Sequence, residues 1–225
     1  MLYNKYNVKE AEHSMLSLSF CMPGILGERY EKTISSLPFG NREISRVLSI
    51  KNEHSRILSF SALVALSYIL SDASLDYTVL RTESRKPYFQ NLPLHFSLTH
   101  TDNLAAAVLS DEPVGIDFEW LDTSRNALGI SKRFFSPDEQ KQILLSGDPL
   151  LTFFSLWTKK EALAKLTGEG LISVCSSSPL SDYHFTQYTV ELENKRGILS
   201  VCQGRKEDIS ILNPYKELKL YELSN

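Results

Sequence analysis

Leu104-Ala105-Ala106-Ala107-Val108-Leu109-Ser110-Asp111-Glu112-Pro113-Val114-Gly115-Ile116-Asp117-Phe118-Glu119-Trp120 is the stretch on which the fold turns. Leu104 to Leu109 is a small apolar run, Ser110 to Pro113 has turn chemistry, and Val114 to Trp120 is β-branched and aromatic. Together they read as a hairpin. Side chains alternate faces along a strand, which puts Asp117 and Glu119 on one face and Ile116 and Phe118 on the other. At the strand rise the two carboxylates stand about 6 to 7 Å apart. If both are ionised and partly buried, their repulsion is about 2 to 3 kcal/mol. Mg²⁺ would offset it, since that ion takes a few carboxylate oxygens and completes its shell with water and phosphate. A bare Asp-x-Glu is more often a solvated edge strand.

Working outward, Asn52 to Leu70 carries Ile57, Leu58, Ala62, Ala65, Leu66 and Ile69 at helical spacing, the stripe of a helix with one face on a core. Met15 to Phe20, Tyr77 to Arg81 and His95 to Leu98 are strand candidates, the last two separated by the turn-prone Arg85-Lys86-Pro87 and Asn91-Leu92-Pro93. Downstream, Ser136-Pro137-Asp138-Glu139 forms a capping box with proline at the first helical position. A second long helix is expected over Leu150 to Thr167, closed by Gly168. The runs Phe185 to Leu192, Ile198 to Gln203 and Ile209 to Leu212 suggest an antiparallel sheet.

Composition narrows the class. The 225 residues are 42% hydrophobic and 23% charged, the balance of a globular chain with its own core. Lys and Arg number 24 against 27 Asp and Glu, a net charge of −3, so no overall field gathers nucleic acid or anionic lipid. The longest apolar stretch, Ala62 to Leu70, is half the roughly 20 residues of a membrane span. The charged N-terminal residues Lys5, Lys9, Glu10 and Glu12 do not read as a signal peptide. Cys21, Cys175 and Cys202 show no metal or disulfide spacing. A cytoplasmic chain without membrane or nucleic-acid partners is expected. No Walker, Rossmann or GxSxG pattern is present, and His13, His54, His95 and His184 lack metal-ligand spacing.

Trp157, Glu161 and Lys165 recur every four residues within Trp157-Thr158-Lys159-Lys160-Glu161-Ala162-Leu163-Ala164-Lys165 and fall on one helical face. In isolation this is as well explained by a surface Glu–Lys pair. In order and spacing, however, Leu98-Thr99-His100, Val114 to Glu119, Phe134-Phe135-Ser136, Trp157 to Lys165 and Gly168-Glu169-Gly170-Leu171 resemble the 4′-phosphopantetheinyl transferases of the surfactin-synthetase-activating (Sfp) type. The likeness spans roughly Arg85 to Leu171.

That resemblance implies an α+β fold of two similar halves, a pseudo-dimer in which each small antiparallel sheet packs on a long helix and coenzyme A lies in the cleft between. The division would fall at residues 1–112, with coenzyme A contacts, and 113–225, with the metal site and catalytic helix. The implied reaction is that of a holo-acyl-carrier-protein synthase. The 4′-phosphopantetheine of coenzyme A passes to a serine of an apo acyl or peptidyl carrier protein, and adenosine 3′,5′-bisphosphate leaves. By position Asp117, Glu119 and Glu161 would hold Mg²⁺, Asp117 would also contact coenzyme A, and Glu161 and Lys165 would serve catalysis. Thr99 and His100 would face the nucleotide phosphates, Lys160 and Lys165 would contact coenzyme A, and Arg85, Lys86 and Pro87 would form the adenine loop. Arg42, Arg46 and Arg56 are candidates for the 3′-phosphate. Arg85 stands where the family has glycine, and Thr99 where it has serine. A non-catalytic coenzyme A or carrier-binding relative and a metal-dependent phosphodiesterase are the alternatives. Leu121, Leu128 and Ile130 are a possible carrier-docking patch, and a monomer would suffice.

Overall fold

Two long helices organise the chain, and each is delimited by its own sequence. Asn52 accepts the Ser55 N–H at 2.8 Å and caps the helix Glu53–Ile69. Asp148 accepts the Leu151 N–H at 3.0 Å ahead of Pro149 and caps Pro149–Thr167, which ends on Gly168 in the left-handed conformation at φ 76°. Only glycine adopts that conformation without cost. The Ser136–Glu139 capping box forms in both directions, at 2.7 and 3.2 Å.

The computed structural model describes residues 16–26, 33–34, 36–70, 77–177 and 180–223. In chain order the elements are β1 (Ser17–Cys21), α1 (Pro23–Leu26), α2 (Asn41–Leu48), α3 (Glu53–Ile69), β2 (Val79–Arg81), β3 (Pro87–Phe89), β4 (His95–Thr101), β5 (Leu104–Ser110) and β6 (Val114–Trp120). There follow α4 (Ala127–Phe134), α5 (Pro137–Leu145), α6 (Pro149–Thr167), α7 (Leu171–Ser177), β7 (His184–Leu192), β8 (Lys195–Gln203), β9 (Ser210–Leu212) and β10 (Lys219–Glu222). Met15, placed by sequence in the first strand, lies outside the described residues. Tyr77 forms only an isolated bridge to Phe39.

The strands make one sheet of order β4-β5-β1-β9, a second of order β10-β7-β8-β6, and the pair β2-β3. The hairpin expected of Leu104 to Trp120 therefore does not exist. Strand β5 is buried along its whole length and pairs with β4 on one edge and β1 on the other, so it has no edge left for β6. Strand β6 pairs with β8 instead. A similar correction applies near the end of the chain, where β9 does not extend the sheet of β7 and β8. The outer edges of that pair are taken by β10 and β6, and β9 runs parallel to β1 in the first sheet.

The sheets face each other across a core in which Leu18, Phe20, Ala106 and Val108 meet Ile116, Phe118, Leu199 and Val201. Helix α3 covers the outer face of the first sheet with Phe60, Leu63 and Val64. Helix α6 covers the outer face of the second, where Gly115 admits it to the backbone of β6. A Cβ at Gly115 would collide with the Ala162 carbonyl oxygen and lie 2.7 Å from the Leu166 nitrogen. A buried polar chain fixes the rotation of α6: Thr158 shares a 2.7 Å hydrogen bond with Ser200, whose hydroxyl accepts from Gln187 Nε2 at 2.8 Å, while Ser155 donates to Gln187 Oε1 at 2.8 Å.

No backbone ladder joins β4 to β6 among the described residues. Hydroxyls bridge them, Ser97 Oγ accepting the Ile116 N–H and Thr99 Oγ1 the Phe118 N–H, both at 3.2 Å.

Because backbone atoms cannot yield as side chains do, Gly115→Ala is expected to lower stability by about 3 kcal/mol, the upper part of the usual overpacking cost. Urea denaturation followed by circular dichroism measures it, and an unchanged midpoint would show that α6 does not rest on this glycine.

Candidate active site

Residue alternation on β6 decides what faces α6. Ile116 and Phe118 enter the core between the sheets, while Gly115, Asp117 and Glu119 turn toward α6. Asp117 is buried, and its Oδ1 accepts from Lys165 Nζ at 2.8 Å and from Thr99 Oγ1 at 3.3 Å. Its Oδ2 is buried with no hydrogen-bond partner. Glu119 is paired with Arg125 at 2.8 Å, and that guanidinium lies over the rings of Trp157 and Phe154, 5.3 and 5.8 Å from their centroids. The repulsion expected between the two strand carboxylates is thus offset by two cations of the chain itself.

A cavity of about 420 Å³ opens beside this face between the two long helices. Glu161, Lys165 and the Gly168 turn form its C-terminal wall; Arg46, Arg81, Arg85, Lys86 and Pro87 form the other, with His100 between them. The Glu161 carboxyl is raised above its ordinary value, first by burial and next by the charge of Asp117, with Lys165 opposing. His100 keeps a solvent-facing edge. Its imidazole is nevertheless held below the ordinary range by desolvation against the cavity walls and by the Lys165 charge, and is neutral at pH 7. Burial also lowers the Lys86 ammonium, which donates to the Leu166 carbonyl near the end of α6.

The sequence reading placed Thr99 with His100 at the phosphates. Neighbouring strand residues point to opposite faces, and the Thr99 hydroxyl is spent on Phe118 N–H and Asp117 in the seam. Trp157 does not enter the cavity with Glu161 and Lys165; it is buried among Phe134, Phe135 and Phe153, the last ring stacked on it at 6.3 Å and 9°. Lys160 lies a quarter turn from Glu161 and pairs with Glu139 at 2.9 Å, over the Phe135 ring. Arg42 is exposed and Arg56 donates to the Ile50 carbonyl, and neither lines the cavity. Leu121 and Ile130 pack against the aromatic cluster around Trp157, leaving only Leu128 of the three candidate docking residues exposed.

Arg85 adopts φ 68°, the left-handed conformation, in a turn closed by Arg85 N–H to Thr82 O at 2.9 Å and Thr82 N–H to Lys86 O at 3.0 Å. The backbone here has the shape that glycine adopts freely and that a larger residue takes at about 1 to 2 kcal/mol. Two cavity features went unread in sequence: Arg81, and Glu43, whose buried carboxylate holds both Arg46 and Arg81. Nothing local in sequence links Glu43 to a strand 38 residues away.

Among the described residues no three His, Cys, Asp or Glu side chains converge as a metal site. The donor set nonetheless suits a divalent cation, since the unpartnered Asp117 oxygen and the electrostatically strained Glu161 are both anionic oxygen donors.

Residues 113–211 match the family model of the 4′-phosphopantetheinyl transferase superfamily. The chain is similar to the 4′-phosphopantetheinyl transferase psf-1 of Bacillus pumilus, 37% identical over 43% of this chain and 42% of that protein. It is also similar to a 4′-phosphopantetheinyl transferase of Bacillus subtilis, 30% identical over 63% of this chain and 64% of the relative. These two matches span less than two thirds of the relatives' length. The 4′-phosphopantetheinyl transferase Sfp of Bacillus subtilis strain 168 is 30% identical over 73% of this chain and 75% of its own. A shared identity of that extent, on a chain whose motif residues Asp117, Glu161 and Lys165 gather beside one cavity, establishes that this chain belongs to the 4′-phosphopantetheinyl transferase superfamily.

Proposed function

We propose that this protein transfers the 4′-phosphopantetheine of coenzyme A to a serine of an apo carrier protein and releases adenosine 3′,5′-bisphosphate, the reaction of a holo-acyl-carrier-protein synthase. The observation that carries this reading is the cavity itself: in a chain of net charge −3, its walls gather Arg46, Arg81, Arg85, Lys86 and Lys165 around Glu161. Such a concentration of cations suits a ligand with several phosphates.

The serine oxygen attacks the pyrophosphate phosphorus that bears the pantetheine arm, and the bond from that phosphorus to the bridging oxygen breaks. The nucleotide leaves with the bridging oxygen. Lys165 supplies a fixed positive charge for the pyrophosphate, and neutral His100 donates a hydrogen bond to a phosphate oxygen. Glu161 takes the serine proton. Asp117 and Glu161, joined by Glu119 when Arg125 lets it go, would hold Mg²⁺. Bound there, the ion supplies charge neutralisation at the pyrophosphate. Two related halves dividing near residue 112 are part of this proposal, as are a monomeric state and a cytoplasmic setting; strand β9 crosses that division to join the first sheet.

The direct test weighs an apo carrier protein after incubation with the enzyme, coenzyme A and Mg²⁺. A gain of one phosphopantetheine is expected. Breakdown of coenzyme A without that gain would point to a phosphodiesterase, and no reaction of either kind to a binding protein.

Three further outcomes are expected. Glu161→Gln removes the base and slows single-turnover transfer by at least about 10²-fold, whereas Lys165→Ala also weakens coenzyme A binding, because the pyrophosphate is charged before and during transfer. Near wild-type rates in Glu161→Gln would overturn the assignment. In the metal-free protein burial and the Asp117 charge raise the Glu161 carboxyl, so its proton should be lost above the ordinary 4.5 of a glutamate and Mg²⁺ should lower that point; a metal-free NMR titration at or below 4.5, or one that Mg²⁺ leaves unmoved, contradicts Glu161 as a buried ligand. Leu128→Ser, at an exposed position on α4, should raise KM for the carrier without raising KM for coenzyme A, and equal effects on both would remove it from the docking surface.

A further inference from the structure

Glu119 near the end of β6 and Arg125 just before α4 face each other across the bend between those elements, with Arg125 Nη1 2.8 Å from Glu119 Oε1. Both side chains are partly open to solvent, at 24% and 29%. The guanidinium has a second seat, 5.3 Å from the centroid of the Trp157 ring and 5.8 Å from that of Phe154 on α6, within the range of a cation–π contact. The charges that act on Glu161 are those of Asp117, Lys165, Glu119 and Arg125. Three carboxylates thus share two resident cations, and with all three ionised the cluster keeps one net negative charge.

The backbone that carries Arg125 is fixed without this pair. Leu121 N–H donates to the Arg196 carbonyl at 2.8 Å, and Asn126 Oδ1 accepts the Gly129 N–H at 3.0 Å to cap α4. Leu121, Ala127 and Ile130 pack against the aromatic cluster around Trp157. An ion pair this open adds little to stability. What it does is engage an oxygen of the kind a divalent cation takes. A guanidinium stays charged at any working pH, so no loss of a proton frees Glu119; only the exchange of one cation for another does.

We propose that Arg125 is a resident counter-ion that withholds Glu119 from the divalent cation, so that the metal affinity of this site is set by the exchange of Glu119 from Arg125 to the ion. Arg125 does not line the cavity and acts through Glu119, as a positioning residue. The Trp157 and Phe154 rings keep the guanidinium seated once its carboxylate turns away, which makes the exchange reversible without moving α4. The inference rests on the metal-dependent transfer proposed above.

Mn²⁺ takes the same oxygen donors, and its electron paramagnetic resonance signal reports binding without turnover. In a titration of the protein with Mn²⁺, Arg125→Met should tighten binding at least about threefold, the scale on which a partly exposed ion pair holds a carboxylate. Arg125→Lys, which keeps the charge, should stay nearer the wild type. A purely structural role predicts the opposite sign, a loss on removal. The gain should vanish when Arg125→Met is made in a Glu119→Gln protein, whereas a merely remote positive charge would be felt in both backgrounds. Circular dichroism checks each fold, and Arg125→Gln carries the same test if the Met variant does not fold. A loss or no change in Mn²⁺ affinity on removing Arg125, or an equal gain in both backgrounds, overturns the proposal. A wild type that transfers the arm of coenzyme A but gives one of these results, or binds no Mn²⁺, leaves the reaction standing and removes the role of Arg125. The expected Mn²⁺ pattern without transfer keeps that role and removes the reaction, and a wild type that neither transfers nor binds Mn²⁺ overturns both.

Discussion

Hydroxyl groups do at the seam between β4 and β6 what carbonyls do inside a sheet. Ser97 and Thr99 accept the N–H groups of Ile116 and Phe118, which would otherwise be buried donors without partners at a cost of about 1 to 3 kcal/mol each. The rest of the architecture hangs on this junction. It lets two sheets that share no backbone ladder meet edge to edge, so that α3 and α6 end up on either side of one cavity. It also delivers Asp117 of one sheet to Thr99 of the other. Thr99 is itself buried, so its side chain is part of the packed seam.

The electrostatics are local throughout. The chain is slightly acidic, yet each carboxylate near the cavity is matched or crowded by named groups: Asp117 by Lys165, Glu119 by Arg125, Glu43 by two arginines. The exceptions are Glu161 and Glu169, which have no ion-pair partner among the described residues, and in Glu161 burial, with the Asp117 charge next, raises the proton affinity. A carboxylate left less well served than its neighbours is the kind of group the proposed reaction would use as its base.

What was legible in sequence was whatever is encoded within a turn or two of the residue concerned. Asn52, the Ser136–Glu139 box, Asp148 and Gly168 each fix a helix end by contacts to residues three or four positions away, and their ends were read to within a residue or two. Eight of the ten strands, all but the short β3 and the largely exposed β10, were also found, since burial on one or both faces is written in their alternation. Their partners were not. Pairing depends on which edges remain free once other strands have docked, and neither the separation of β5 from β6 nor the return of β9 to β1 leaves a local trace. The site divides the same way: Glu161 and Lys165 follow from helical spacing, whereas Lys160, one position before Glu161, turns to Glu139, and Arg81 gains its meaning only from Glu43.

That returning strand has a consequence for synthesis. Strand β1 holds β5 on one side and β9 on the other, and from Ser110, where β5 ends, to Leu212, where β9 ends, the chain runs 212 − 110 = 102 residues. At a translation rate of about 5 to 20 residues per second, the ribosome needs roughly 5 to 20 s to supply the missing neighbour. During that interval the apolar edge Ser17–Cys21 presents an unpaired row of backbone groups, the feature by which sheets recruit foreign strands. The interval in which the nascent chain is most open to aggregation is therefore set by the distance between a strand near one end of the chain and its three-residue cover near the other.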